Sequence, residues 1–333
     1  MESFGRTKSP LDWAATQNNL GIALGAQAGR SEGAEAVRLL GEAVAAYRAA
    51  LDVRTREQFP PDWAGTQINL GIALRDQAGR TEGAEASRLL GEAVAAYRAA
   101  LKAYTHEQFP QDWAGTQNNL GIALGAQARR SEGAEAGRLL GEAAAAYRAA
   151  LNVYTCEQFP QEWAATQNNL GVALRDQAGR SEEADMGCLL GEAVTAYRAA
   201  LKVYTRELFP QEWAGTQNNL GNALRAQAAR SKGAEAVGLL GEAVATYRAA
   251  LKVYTREQFP QNWATTQNNL GNALNNQAEW SERAEAVRLL SEAVAAYRSA
   301  LEIWTANDFP RYHELATKNL VIIVEALRRL QTL

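Results

Sequence analysis

Catalysis needs acids, bases or nucleophiles that a fold can bring together, and few residues of this chain qualify. There are two histidines, His106 and His313, separated by most of the sequence. Neither stands at metal-ligand spacing from another His or Cys, and no glycine-rich phosphate loop follows a strand-like segment. Glu42 and Arg48 belong to a segment, GEAVAAYRAAL, that recurs along the chain. Their spacing does not make them facing neighbours on a helix, so a solvated helix edge is expected. With no catalytic constellation and no metal or cofactor fingerprint, the chain is expected not to be an enzyme and to need no cofactor.

Aromatic stacking is the other chemistry to weigh. Trp13, Trp63, Trp113, Trp163, Trp213 and Trp263 recur at a step of 50 residues, as a base-stacking ladder would require. They lie on apolar stripes without interleaved Lys or Arg, and the chain has a net charge of −3. Core packing is therefore expected, with no nucleic-acid partner. No apolar run is long enough to span a membrane, and MESFGRTKSP lacks the apolar centre of a signal peptide. Cys156 and Cys188 each stand where the sister repeats hold other residues, so they read as incidental thiols of a cytoplasmic protein.

The element that positions everything is the repeat itself. QFPQDWAGTQNNLGIAL (108–124) returns lightly edited in all six copies, and LLGEAVAAYRAAL (39–51) follows in the same register. A fixed period of this size marks a solenoid whose units pack only on their neighbours. Pro10, Pro60, Pro110, Pro160, Pro210 and Pro260 suit the first position of a helix. That helix, A, is expected to run to about residue 29, with Trp13, Leu20 and Leu24 on one stripe widened by Ala14, Gly21 and Ala28. Ser31 and its equivalents read as N-caps of helix B, which is expected to end near Thr55. Gly21 and Gly41, costly inside a helix, are expected to let A and B approach closely.

The pattern Leu20-Gly21-x2-Leu24 followed by Ala43-x3-Tyr47-x2-Ala50 resembles the tetratricopeptide repeat, and every copy has an equivalent match. The resemblance spans about residues 10–330 of the chain. The unit departs from the usual length of about 34 residues, with insertions between Gly21 and Ala43 and between repeats, and looks like a long bacterial type found beside signalling modules. The expected architecture is all-α: residues 1–9 as a tail, 10–310 as six helix–turn–helix repeats of an α-solenoid, and 311–333 as a capping helix. In that last helix Leu320, Ile323, Val324, Leu327 and Leu330 should face the array. The polar segment MESFGRTK would leave the first helix A uncovered, which invites self-association through that end.

The resemblance implies a non-catalytic scaffold that binds a peptide or partner helix in a groove built by the A helices. Among the six copies, positions equivalent to 15, 18, 22, 25 and 29 vary and share one helical face. Its apolar members are Ile22, Ile68, Ile72, Ile122 and Val172. Asn18, Asn118 and Asn168, continued by Asn218, Asn222, Asn268, Asn272 and Asn275, form an amide row. Arg75, Arg175 and Arg225 offer guanidinium groups for acidic side chains or a terminal carboxylate. The expected ligand is a protein segment, apolar at one end and polar or acidic at the other. The competing expectation is an oligomerisation or spacer module of a larger signalling protein.

Overall fold

The structure, a computed structural model, describes residues 9–332, apart from the side chains at 183 and 184. The expected tail lies outside that range except for Ser9, and so does MESFGRTK, expected to leave the first helix A uncovered. Among the described residues there are thirteen α-helices and no strand. The described residues form two compact units, divided between residues 180 and 181.

The first unit contains α1 (Pro10–Ala28), α2 (Gly33–Leu51), α3 (Pro60–Ala78), α4 (Gly83–Ala100), α5 (Pro110–Ala128), α6 (Gly133–Ala150) and α7 (Pro160–Ala178). Helices α1, α3 and α5 pack on α2, α4 and α6, each of which packs in turn on the next odd-numbered helix. The second unit contains α8 (Glu183–Ala200), α9 (Pro210–Ala228), α10 (Gly233–Ala250), α11 (Pro260–Ala278), α12 (Arg283–Leu301) and α13 (Pro310–Thr332). Within it α9 pairs with α10 and α11 with α12, while α13 packs on α12 and buries Ala316 and Ile323. This is an all-α solenoid of repeated helix pairs.

Each A helix opens at its proline, and the residue before it is held out of the α region, Phe109 at φ −136° and ψ 60°. The A stripe is buried as expected: Leu120 is 7% exposed, and Ala114 and Ala128 are wholly buried. In the first copy the same position, Leu20, is 46% exposed, with no preceding helix B among the described residues. The Gly21 expectation holds, and its partner is now named. A methyl group added at Gly121 would stand 2.6 Å from Cε1 of Tyr147. The same clash with a helix-B tyrosine recurs at Gly21, Gly71, Gly221 and Gly271.

Three expectations need correction. Ser31 does not cap helix B. Its hydroxyl donates backwards to the Gln27 carbonyl at 3.1 Å, closing the end of α1, and the N-cap of α2 is Glu32 with no side-chain bond. The turn is made instead by Gly33, whose φ of +55° is open to glycine at little cost. Helix B stops at Leu51 and Leu301 in two copies and at Ala100, Ala150, Ala200 and Ala250 in the others, rather than near Thr55. The following turn is held by the threonine: Phe109 N–H donates to the Thr105 carbonyl, and Gln108 N–H to the Thr105 hydroxyl. Gly41 is not a close-approach glycine, since a Cβ there would meet only Gln77 Nε2 at 3.4 Å, and at Gly91 it would meet nothing.

Glu42 and Arg48 are also more than a solvated edge. Arg48 pairs with Glu92 of the next repeat at 2.5 Å, and Arg98–Glu142, Arg198–Glu242 and Arg248–Glu292 repeat the rung. Sequence spacing within one helix could not reveal a bond made between successive B helices. The segment joining repeats builds an aromatic cluster as well. Tyr254 meets Phe259 edge-on at 5.7 Å, packed with Trp213 and Trp263 around Ala214 and Ala250. The Tyr254 hydroxyl donates to the Gln211 carbonyl.

Candidate functional site

Because helix A stacks on helix A of the next repeat, the variable positions of α1, α3, α5 and α7 lie side by side in the first unit. Ile22 and Ile72 line one cavity of about 300 Å³, together with Gly25, Tyr47, Asn69 and Asp76. A second cavity, about 190 Å³, repeats it two units on, with Ile122, Val172, Gly125, Tyr147, Asn169 and Asp176. The glycine makes the opening: nothing lies within 4 Å of a Cβ placed at Gly25 or Gly125. The repeats between have arginine there. Arg75 Nε and Nη2 donate to Asp76 Oδ1, and Arg175 does the same to Asp176.

At the base of each cavity stands a tyrosine. Burial pushes the Tyr47 hydroxyl up to about 12, and it raises Tyr97 and Tyr147 as well, while nearby guanidinium groups pull those two partly back, Arg75 at Tyr97 and Arg129 followed by Arg75 at Tyr147. The tyrosine rings fill the space left by the helix-A glycine, yet the hydroxyls of Tyr47 and Tyr147 border the variable face. A hydroxyl kept in all six copies, where phenylalanine would pack as well, was the available signal.

Much of the amide row is engaged inside the array. Asn69 Nδ2 donates to Asn18 Oδ1 at 3.1 Å, Asn169 to Asn118 at 3.4 Å, and Asn269 to Asn218 at 3.2 Å. The Tyr247 hydroxyl donates to Asn222 Oδ1 at 2.9 Å and Tyr297 to Asn272 at 2.8 Å. Asn268 is buried, at 7% exposure, with its Oδ1 lacking a hydrogen-bond partner, and Asn168 is not free. Asn275 borders a separate cavity of about 420 Å³ with Leu290, Ile322 and Arg329 in the second unit. Arg225 and Ile68 are half-buried and line none of these cavities. The structure thus brings together Ile22 with Ile72, Ile122 with Val172, and Arg75 with Ile122. It also adds Tyr47, Asn69, Asp76 and their equivalents, which the sequence had placed among fixed or unassigned residues.

Among the described residues no group of three His, Cys, Asp or Glu side chains could hold a metal, and no helix is long and apolar enough to cross a membrane. His106 rests edge-on against the Trp113 ring at 5.0 Å. Cys156 and Cys188 are free thiols.

Paired helices, the Leu-Gly and Ala-x3-Tyr-x2-Ala motifs, and a glycine–tyrosine contact at Gly21, Gly71, Gly121, Gly221 and Gly271 are those of a tetratricopeptide-like repeat fold. Solved structures share the fold. The nuclear import adaptor Nro1 of S. pombe aligns over 95% of this chain and 98% of its own, at 12% identity and a TM-score of 0.53. Another structure of Nro1, described as a hypoxic regulator of sterol synthesis and nuclear import adaptor, aligns over 92% and 94%, at 14% identity and a TM-score of 0.55. No protein-family model matches the sequence, and no curated protein is significantly similar to it.

Proposed function

We propose that the chain is a non-catalytic interaction module that binds an extended peptide segment of a partner protein along the A-helix face of its first unit. The observation behind this is the pair of equivalent cavities, Ile22–Ile72 over Tyr47 and Ile122–Val172 over Tyr147. Each combines an apolar wall, a tyrosine hydroxyl and an asparagine amide, the mixture that takes an apolar side chain while bonding the adjacent peptide backbone. A rigid helical frame supplies the face ready formed, so little ordering of the protein opposes binding. The amide row contributes mainly to the frame, and the specificity rests on the two cavities.

The test is selection of peptides from a displayed library, followed by calorimetry with Ile72→Asn and Val172→Asn together. Asparagine occupies this position in the fifth and sixth repeats, as Asn222 and Asn272, so the fold tolerates it. Affinity should fall about tenfold or more with the melting temperature maintained. Undiminished affinity would place the peptide on another face.

A second reading is supported by α1, where Leu20 is 46% exposed. The leucines equivalent to Leu20 are buried in the five later copies. Self-association through this face, in an oligomerisation or spacer role, is compatible with peptide binding elsewhere.

A further inference from the structure

At one point along the first unit the repeat pattern breaks in charge. Position 29 of the repeat is Gly29, Gly79, Gly179, Ala229 or Glu279 in five copies, but Arg129 in the third. Arg130 follows it, and the pair lies on the rim of a cavity of about 500 Å³. Arg75 and Arg80 of the preceding repeat line the same cavity, with Ile122 as its apolar wall. Four arginines therefore line one opening, with the Arg80 guanidinium turned toward the first repeat. The single carboxylate lining it, Asp76, is already held by Arg75.

Two of the four are anchored from behind. Arg80 Nη1 donates to the Ala28 carbonyl at 2.8 Å, and Arg130 Nη2 donates to the Ala78 carbonyl at 3.1 Å, each closing the end of the preceding A helix. A guanidinium has five N–H donors, so one such bond fixes its position and leaves others available. Arg129 has no hydrogen bond or ion pair from its side chain among the described residues, and it is exposed. At the end of α5 its charge also faces the negative end of the helix dipole, which gives a bland reason for its presence. That reason does not explain why it converges with three other arginines on one cavity.

We infer that this cavity binds a phosphorylated side chain of the partner peptide. The inference rests on the peptide-binding reading of the same face and deepens it. A phosphate monoester brings about −1.5 to −2 charges and three acceptor oxygens into the volume of one side chain. That matches several convergent guanidinium forks better than a carboxylate, which brings one charge. The apolar wall at Ile122 takes the methylene or ring of the phosphorylated residue, and Ile122 also lines the adjoining cavity. One peptide can therefore place its phosphate among the arginines and a neighbouring apolar side chain over Tyr147.

The experiment presents the full chain with three matched peptide libraries. One has a central phosphoserine, phosphothreonine or phosphotyrosine, one the unmodified residue, and one glutamate. Selected sequences are then measured by fluorescence anisotropy against Arg129→Gly, which restores the residue of three sister repeats. Lys202→Asn removes one positive charge elsewhere and serves as the control. The expected result is enrichment of the phosphorylated library, about tenfold loss of affinity in R129G, and no change in K202N. Inorganic phosphate should compete with the peptide. Equal enrichment of the glutamate library, equal losses in R129G and K202N, or no enrichment of any library would overturn the phosphate site. Enrichment of the unmodified library alone, abolished by Ile72→Asn and Val172→Asn, would overturn it while leaving the peptide-binding reading standing.

Discussion

Gly121 of α5 and the Tyr147 ring of α6 are so close that a Cβ on the glycine would lie 2.6 Å from the ring. Such contacts set how near the two helices of a repeat can come. Gly91 in α4 is equally helical, yet nothing lies within 4 Å of a Cβ placed there. The two substitutions should therefore have opposite signs. Gly91→Ala should stabilise by about 0.5–1 kcal/mol, the helix-propensity gain. Gly121→Ala should destabilise by about 1–3 kcal/mol, because the packing strain outweighs that gain. Urea melts of the two variants would decide it, and a stabilising Gly121→Ala would show that the helix pair separates freely.

The repeat tyrosines should divide into two classes on loss of their hydroxyls. Tyr247 donates to Asn222 at 2.9 Å, whereas the buried hydroxyl of Tyr97 has no hydrogen-bond partner. Tyr247→Phe should cost about 1 kcal/mol, and Tyr97→Phe should be neutral or stabilising. Adding the missing acceptor with Ile72→Asn should make Tyr97→Phe costly. A double-mutant cycle over residues 72 and 97 should give about 1 kcal/mol of favourable coupling. Zero coupling would mean that asparagine at 72 does not reach the hydroxyl.

Alkaline pH should expose the same tyrosines. An unfolded tyrosine titrates near 10. In the fold, burial pushes Tyr47 up to about 12 and also raises Tyr97, Tyr147 and Tyr297. Above pH 10 the unfolded chain releases protons that the folded chain retains, so the equilibrium moves toward unfolding. Stability should be level between neutral pH and about 9, then fall steeply through the folded-state value near 12. Tyrosinate absorbance and helical circular dichroism should change together. Tyrosines that titrate near 10 with helicity intact would contradict their burial.

Leu120 and Leu20 share a repeat position but not an environment, at 7% and 46% exposure. Leu120→Ala should cost about 2–5 kcal/mol, and the loss should spread to the flanking repeats because coupling in such arrays is between neighbours. Leu20→Ala should stay within about 1 kcal/mol, nearer the range of surface sites. Sedimentation at rising concentration reports on self-association, and Leu20→Gln should suppress any increase in mass. A mass increase unaffected by that change would locate the contact elsewhere.

The rungs between B helices join exposed side chains, as in Arg98–Glu142 at 2.5 Å. Arg98→Ala should therefore cost less than about 1 kcal/mol, with the loss shrinking in high salt. A salt-independent loss above that size would indicate that the arginine stem, rather than its charge, supports the packing.

The repeat period, the proline at each helix-A start, the apolar stripes and the glycine needed at position 21 could all be read from the sequence. Each is a local rule of backbone geometry or side-chain periodicity, sampled six times over. The helix ends near residues 31 and 55 were misread, because a serine can bond backward to the preceding helix as readily as cap the next one. The functional face shows a sharper division. Variation among the copies identified Ile22, Ile72, Ile122 and Val172, which do border cavities. It could not show that Asn18, Asn118 and Asn218 are engaged by the asparagine of the next repeat, since that bond spans 51 residues. Nor could it show that Arg48 reaches Glu92, or that Arg75, Arg80, Arg129 and Arg130 meet around one opening. Periodicity determines which face of a helix a residue occupies. The stacking of one repeat on the next decides whether that residue is left for a partner or satisfied by its neighbour.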